Sequence, residues 1–263
     1  MKVALTVAGF DPSGGAGIQA DMRVFTLLGL YSTSVITAIV VQNSFGVKKS
    51  IPVDAGLVRF QIETILEDIK PDVLKVGILQ TPENVEVLAD CIERYDLRLN
   101  VVDTVLRSKN GTPLLEEEGI ETFIKRVVPL CYIITPNTDE VFILTGIEIK
   151  SMEDVKKSCV ELWKMGAKYV IVKGGHFEEE ELAVDTLYDG EEFYTAVSPR
   201  VKTKNTHGTG CTFASALASN LAKRKDVYTS FQIAKAYMYG GLSNQVEIFR
   251  GKGPVNHLWL SGM

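Results

Sequence analysis

The sequence predicts an α/β fold built as one domain, with a single mostly parallel sheet and helices on both of its faces. Three observations predict it. Short apolar segments alternate with helical patterns, no low-complexity linker interrupts that order, and no segment repeats. The chain has 263 residues, of which 46% are hydrophobic, so it can bury one large core and we treat residues 1–263 as one domain.

Six short apolar segments predict strands that are buried on both faces, because apolar residues follow one another directly instead of alternating with polar ones. A seventh region differs: two alternating segments flank Asp189 and Gly190 within residues 182–197, which predicts an antiparallel hairpin. The six predicted strands cover residues 3–9, 34–43, 73–79, 99–106, 131–135 and 169–175.

The helical patterns between these strands begin at typical capping residues. One pattern follows Asp54, another has Thr81 directly before Pro82, and a third begins at Ser151. The glycine-rich residues 9–21 predict a close approach of the backbone to a flat ligand, ahead of a helix that begins near Gly15.

Composition excludes several classes of function. A net charge of −5 without a basic block argues against nucleic acid and against an anionic membrane surface as partners. No apolar segment approaches the roughly 18 residues of a membrane span, and the N-terminus lacks a secretory cleavage site, so we expect a cytoplasmic protein. The four cysteines lack C-x-x-C spacing, which argues against a disulfide framework or a zinc cluster. The expected partner is a small molecule.

Unusual polar residues and glycines follow the carboxyl ends of the predicted strands. In open α/β sheets, ligands bind in the crevice outside those ends, so we predict the functional site at this edge of the sheet. The residues concerned are Gly9, Asp11, Gln42, Asn43, Asp103, Asn137, Lys173, Gly174 and Gly175.

The segment "NTHGTGCT", residues 205–212, predicts an anion-binding turn. Gly208, Thr209 and Gly210 precede a helical pattern, so free backbone N–H groups and the positive end of a helix would converge there. Cys211 falls in the first helical turn, where we expect a lowered thiol pKa, a thiolate fraction near neutral pH and a role as proton acceptor. The alternative is a small buried hydrophobic residue, our interpretation of Cys91, Cys131 and Cys159. No P-loop motif occurs.

Oxygen-bearing side chains at the same edge suggest a magnesium site. Asn137 and Glu140 lie three residues apart and either hold Mg²⁺, directly or through water, or form a helix capping box. Asp103 is either a second magnesium-associated carboxylate or an ordinary helix cap. Lys173 either offsets the charge of a phosphate or is a solvent-exposed residue at the end of a strand. The histidines share no metal-binding spacing, and we expect His207 to shape the glycine turn.

Seven segments occur in one order over nearly the whole chain: "AGFDPSGGAGIQAD", "ITAIVVQNSFGV", "VVDTV", "SKNG", "ITPNTDE", "VKGGH" and "TKNTHGTGCT". Together they resemble the hydroxymethylpyrimidine/hydroxymethylpyrimidine-phosphate kinases of thiamine biosynthesis. That resemblance implies a ribokinase-like three-layer α/β/α fold, a homodimer, and ATP with Mg²⁺ as phosphoryl donor.

The resemblance also implies roles for individual residues. The amide of Gln42 would recognise the pyrimidine, and Cys211 would act as the base beside the turn 208–210, where sugar kinases of the same fold carry aspartate. The other pocket positions would be Gly9, Ala16, Asp21, Ile78 and Val105. The nucleotide and metal would lie near Asp103, Asn137, Glu140, Lys173 and Thr206, with Asp103 and Glu140 nearest the metal.

Three positions depart from the family pattern. Phe10 stands where Ser or Thr is usual, Ile78 where methionine is common, and residues 105–111 differ around Arg107. Lys109 and Gly111 match the family, so we expect adjusted packing with activity retained.

Three alternatives remain open. A vitamin B6 kinase of the same fold shares part of the cysteine segment, but such relatives tend to lack a glutamine matching Gln42, whose amide can pair with a ring nitrogen and an amino group. A regulator without turnover would need damage at Cys211 or the glycines, and the sequence shows none. Gly15 and Gly17 formally match a dinucleotide fingerprint, but Gln42 stands where an acidic residue is expected.

Overall fold

The computed structural model describes residues 1–108, 111–174 and 181–261, and these residues form one nine-stranded sheet. The predicted residues Lys109, Gly175 and His176 lie outside the described residues. The strands are β1 (Val3–Phe10), β2 (Tyr31–Asn43), β3 (Gly46–Pro52), β4 (Val73–Val76), β5 (Asn100–Val102), β6 (Ile133–Ile134), β7 (Tyr169–Val172), β8 (Leu182–Tyr188) and β9 (Phe193–Pro199).

The strand order is β3-β2-β1-β4-β5-β6-β7-β8-β9. Strands β2, β1, β4, β5, β6 and β7 pair in parallel, whereas β3, β8 and β9 are antiparallel to their neighbours. The mostly parallel sheet and the 182–197 hairpin are therefore confirmed. The chain order reverses between β1 and β4, and the carboxyl ends of strands at such a switch point leave a crevice for ligands.

The described ranges contain eight α-helices, of which the last two follow strand β9. Asp54, Thr81 and Ser151 each accept a hydrogen bond from an amide in the first turn, which confirms the predicted caps. The first helix begins at Gly17 and not near Gly15, because the Asp11 carboxylate accepts the Ala16 amide and holds the preceding residues in a turn. The helices are α1 (Gly17–Leu27), α2 (Ala55–Asp68), α3 (Pro82–Arg94), α4 (Glu117–Thr122), α5 (Thr138–Thr145), α6 (Met152–Lys164), α7 (Thr209–Ala222) and α8 (Val227–Ser243).

Two helical layers cover the sheet and give the three-layer α/β/α architecture. Helices α2, α3, α5 and α6 bury one face, and α1, α7 and α8 bury the other. Alternate residues of one strand enter opposite layers: Leu74 and Val76 pack in the first core, and Val73 in the second. This alternation is the period of two that a strand imposes on its side chains.

One strand departs from the expectation of burial on both faces. Residues 34–43 fall in β2, whose outer half pairs with β3 and leaves Ile39 and Val41 exposed. Strand β3 itself was not predicted, because three polar residues in seven weaken its apolar pattern. Among the helices of the described ranges, none is long and apolar enough to cross a membrane.

Candidate active site

The carboxyl ends of the parallel strands open into one large cavity of about 1740 Å³. Residues that follow several of the strands line this cavity. This agrees with the predicted functional site at the carboxyl edge of the sheet. Fourteen of the fifteen candidate site residues line it: Gly9, Ala16, Gln42, Ile78, Asp103, Val105, Asn137, Glu140, Lys173, Thr206, Gly208, Thr209, Gly210 and Cys211.

Asp21 is the exception, because the structure does not bring it to the cavity. Its side chain is fully buried, and its carboxylate accepts hydrogen bonds from Thr6, Lys75 and Ser215. A carboxylate held by three protein donors and sealed from solvent does not meet a ligand. The expectation that Asp21 contacts substrate is therefore wrong.

The N-terminus of α7 forms the predicted turn. Gly208 caps the helix with φ +79°, and a β-carbon there would lie 1.8 Å from the carbonyl oxygen of Gly15, so only glycine fits. The first amide bonded within α7 belongs to Thr212, which donates to Gly208. The amides of Gly210 and Cys211 precede that bond, as the leading N–H groups of a helix do, and lie at its positive end.

A second helix N-terminus meets the first at the Cys211 sulfur. Helix α1 begins at Gly17, whose amide hydrogen-bonds the thiol and lowers its pKa. Gly17 has φ +58°, and a β-carbon there would lie 2.2 Å from the Gly9 carbonyl oxygen. Two helix dipoles therefore point their positive ends at one sulfur atom.

The glycine-rich loop before α1 packs against the protein itself. A β-carbon on Gly15 would lie 2.4 Å from the His207 ring, whose Nε2 lies 2.8 Å from the Asp11 carboxylate. His207 thus holds the glycine loop against the cysteine turn, which extends its predicted role. A β-carbon on Gly15 or Gly17 would collide with protein atoms, so packing of the loop requires both glycines, and Gly17 also lines the cavity.

Cys211 lies at the cavity wall but is only 9% exposed. Burial raises its thiol pKa to about 12, although Lys75 and the Gly17 amide lower it. The expectation of a thiolate near neutral pH is therefore wrong for the unliganded protein, because desolvation of the charged form outweighs the helix dipoles. Cys211 is buried, as the alternative of a small buried residue expected, but it is not sealed in the interior, since Cys211 and Gln42 line the same cavity.

An ion pair lies beside the cysteine turn. Lys173 Nζ is 2.7 Å from Asp103 Oδ1, and both side chains are largely buried. Although burial opposes the charge of Lys173, Asp103 and Glu140 raise its pKa above the usual value. The ammonium therefore stays charged, available to an anion in the cavity.

Asn137 and Glu140 form the capping box that was one of two interpretations. The Glu140 carboxylate accepts the Asn137 amide at 2.8 Å, and the Asn137 side chain accepts the Glu140 amide at 2.9 Å. Thr104 donates to the same Glu140 oxygen. Burial raises the Glu140 pKa to about 7, while Lys173 lowers it.

The oxygen ligands of Asp103 and Glu140 suit a metal ion whose other ligands come from water and substrate. Across residues 1–108, 111–174 and 181–261, no group of three or more His, Cys, Asp or Glu side chains is arranged to hold an ion. Mg²⁺ is commonly bound by one or two carboxylates together with water and substrate phosphates, so two carboxylates at the cavity wall are compatible with it.

The other end of the cavity is apolar with one amide. Ala38, Val40, Ile78 and Leu114 form a small buried cluster, against which Val105 packs. Gln42 follows on β2, after an irregularity in the pairing with β3 between residues 41 and 42. This end of the cavity offers apolar walls and one hydrogen-bonding amide to a flat polar ring.

Sequence reasoning missed two residues near the cysteine. Gly77 lines the cavity, and Lys75 lies fully buried two residues before it. A signal was present: lysine is the one charged residue of the segment "VLKVGIL", in a strand predicted to be buried on both faces. A buried lysine is rare unless it is paired, so a lysine in such a strand predicts a buried carboxylate as its ion-pair partner.

Comparison with known proteins agrees with this geometry. A family model described as phosphomethylpyrimidine kinase matches residues 11–256. The hydroxymethylpyrimidine/phosphomethylpyrimidine kinase of Bacillus subtilis strain 168 is 41% identical over 254 residues, which are 97% of this chain and 94% of that protein.

Two solved structures share the fold. A phosphomethylpyrimidine kinase from Clostridium difficile 630 has a TM-score of 0.81 at 38% identity, covering 91% of this chain and 98% of that one. A Bacillus subtilis pyridoxal kinase in an ADP complex has a TM-score of 0.91 at 34% identity, covering 99% of both chains. The chain therefore belongs to the phosphomethylpyrimidine kinase family, and it is a phosphotransferase of the ribokinase-like fold.

Proposed function

We propose that this protein transfers the γ-phosphate of ATP to 4-amino-5-hydroxymethyl-2-methylpyrimidine and then to its monophosphate, in thiamine biosynthesis. The observation that carries the proposal is that Gln42 and Cys211 line one cavity whose wall also holds a helix N-terminus. The family and the curated relatives named for both phosphorylations support the same reaction.

Gln42 and the apolar cluster position the ring. The Gln42 carbonyl accepts from the amino group of the pyrimidine, and its NH₂ donates to a ring nitrogen. Ile78, Val105 and the backbone at Gly9 and Ala16 enclose the faces of the ring. This orientation directs the hydroxymethyl group toward Cys211.

Phosphoryl transfer depends on charge stabilisation more than on covalent chemistry by the protein. The amides of Gly210 and Cys211 and the positive end of α7 bind the oxygens of the transferring phosphoryl group, and Lys173 offsets their charge. As the oxygen of the hydroxymethyl group bonds to phosphorus, its proton passes to the thiolate form of Cys211, which becomes the thiol, and the bond from phosphorus to ADP breaks.

The nucleotide lies along the ends of β5 to β7, beside Asn137 and Thr206. Asp103 and Glu140 would hold Mg²⁺, directly or through water, and the ion would neutralise charge between the β- and γ-phosphates. Because the proposed reaction consumes ATP, we expect the protein to act in the cytoplasm.

A homodimer is part of the proposal, and an exposed apolar face supports it. Ile39 pairs with Ile51 across β2 and β3, and both are exposed on the outer side. Leu57 and Phe60 of α2 are also exposed, and Gln61 of that helix bonds the backbone of β2 at Ile36. A two-fold axis would pair this surface with its own copy and bury it.

A panel assay tests the function directly. ATP consumption is measured with hydroxymethylpyrimidine, its monophosphate, pyridoxine and pyridoxal, and we expect the two pyrimidines to give the higher kcat/KM. The pyridoxal kinase with a TM-score of 0.91 makes vitamin B6 the second candidate substrate. Faster turnover of pyridoxine or pyridoxal would show that the substrate is a B6 vitamer and that the proposed pyrimidine substrate is wrong.

A further inference from the structure

A lysine ammonium is buried beneath the active site. Lys75 of β4 has no exposed surface, and its Nζ lies 2.9 Å from Asp21 Oδ2, which is equally buried. The neighbouring residues Leu74 and Val76 enter the opposite core, so Lys75 alone carries charge from this strand into the layer of α1 and α7.

Asp21 connects this ammonium to both helices that point at the cysteine. It belongs to α1, and its carboxylate accepts from Ser215 of α7 at 2.8 Å and from Thr6 of β1 at 2.6 Å. Ser215 follows Cys211 by four residues, one helical turn, so it lies on the same face of α7. The carboxylate therefore fixes the ammonium relative to the thiol.

The ammonium lies just under the cavity floor. Gly77 lines the cavity, and a β-carbon on Gly77 would stand 3.2 Å from Lys75 Nζ. Lys75 also acts electrostatically on Cys211 and Asp103. Because Gly77 has no side chain, the Lys75 ammonium has room to lie close to the reacting groups.

Stability does not explain this pair. Taking a lysine and an aspartate fully out of water has a desolvation cost that their attraction only partly offsets, and well-packed apolar residues often serve as well. A buried cation next to a thiol has a different effect, since it favours the thiolate over the thiol. Besides Lys75, the charged groups acting on Cys211 are Asp21, Asp103 and Lys173, of which the two carboxylates disfavour the thiolate.

We propose that Lys75 is a positioning residue that stabilises the thiolate form of Cys211, the form that then accepts the substrate proton, and that Asp21 holds the Lys75 ammonium in place. The proposal rests on the role of Cys211 as proton acceptor under the proposed function. Under this proposal the role of Asp21 is to hold the Lys75 ammonium, and Asp21 does not contact the substrate.

The test measures the thiol and not the kinase reaction. Iodoacetamide alkylates thiolates, so the alkylation rate of Cys211, followed by peptide mass spectrometry, reports the thiolate fraction. We expect Lys75→Met to lower that rate at fixed pH by about tenfold for each unit that the pKa rises. The alkylation rate of Cys211 in Lys75→Met should be lower by the same factor at every pH from about 7 to about 10.

Two controls separate charge from loss of structure. Lys235→Met removes the ammonium of another buried pair, with Asp185 at 2.9 Å, that is not among the largest influences on the Cys211 pKa, and it should leave the Cys211 rate nearly unchanged. Cys131 is fully buried and serves as an internal sensor, because its alkylation requires the fold to open.

If Lys75→Met makes Cys131 reactive, the double variant Lys75→Met with Asp21→Asn is compared with Asp21→Asn alone, so that the two proteins differ only in the Lys75 charge and both lack the carboxylate that disfavours the thiolate. Slower alkylation of Cys211 with Cys131 protected supports the proposal, and an unchanged rate overturns it. Neither ATP nor a pyrimidine takes part, so a failure of the proposed kinase reaction would appear in the panel assay and not here.

Discussion

The α-carbon of Gly210 faces the carboxylate of Asp103 so closely that a β-carbon at residue 210 would lie 2.9 Å from Asp103 Oδ2. The same β-carbon would lie 3.4 Å from Lys173 Nζ. The glycine of the turn therefore brings the N-terminus of α7 against an ion pair, and the proposed phosphoryl site is built from both.

This contact predicts that Gly210→Ala lowers activity far more than it lowers stability. Alanine suits a helix better than glycine by up to about 1 kcal/mol, which limits any loss of stability. The added methyl group displaces Asp103 and Lys173, and a displacement of about 1 Å at a reacting centre lowers turnover by about 10²-fold. Thermal unfolding and steady-state kinetics measure the two effects. Full activity in a folded Gly210→Ala variant would show that the contact is not part of the site.

Gln42→Leu tests recognition of the ring. The variant keeps the size of the side chain and leaves the amino group and ring nitrogen of the pyrimidine without partners. We expect kcat/KM for hydroxymethylpyrimidine to fall by about 10²-fold or more, because an unpaired buried polar group costs about 1–3 kcal/mol and two groups are affected. Pyridoxal turnover should change little. An equal loss for both substrates would mean that Gln42 supports the fold of the cavity and does not select the ring.

The outer face of β2 and β3 predicts the oligomeric state. Ile39→Asp or Ile51→Asp places a charge on a surface that a homodimer would bury, so we expect the dimer to dissociate. Sedimentation velocity at several protein concentrations measures this. Leu182→Asp is the matched control, because Leu182 is 48% exposed on β8, far along the sheet, against 46% for Ile39. A wild-type protein that sediments as a monomer would contradict the proposed dimer.

The raised pKa of Cys211 predicts how turnover depends on pH. With a pKa raised to about 12, the thiol is protonated near neutral pH, and the thiolate fraction grows about tenfold per pH unit. Turnover limited by proton transfer should therefore rise from about pH 7 to about pH 9 without a plateau. In Cys211→Asp the base is already ionised, so the profile should flatten over that range. A flat profile in the wild-type protein would contradict a buried, protonated thiol.

The sequence predicted the sheet, the helix caps and the edge that carries the site, because each depends on local spacing. Thr81 before Pro82 and the glycines before Cys211 are such local patterns, and the structure contains both features. The pairing of β3 with β2 was not predictable, since the few apolar residues of β3 give a weak pattern.

Properties that depend on burial could not be derived from local pattern. The helix N-terminus at Cys211 was predictable, but the desolvation that raises its thiol pKa arises from packing by distant segments. The family resemblance implied that Asp21 is a pocket residue, whereas its partners Lys75 and Ser215 lie 54 and 194 residues away along the chain. The tertiary fold alone places these groups together.

Cys211→Ala tests the central claim most directly, because the account assigns the substrate proton to this sulfur. Single-turnover kinetics and equilibrium binding of hydroxymethylpyrimidine are measured on the variant, with Cys159→Ala as a control at a buried cysteine outside the cavity. We expect turnover to fall by about 10²–10⁴-fold while pyrimidine binding is nearly unchanged. Undiminished turnover in Cys211→Ala would contradict the account.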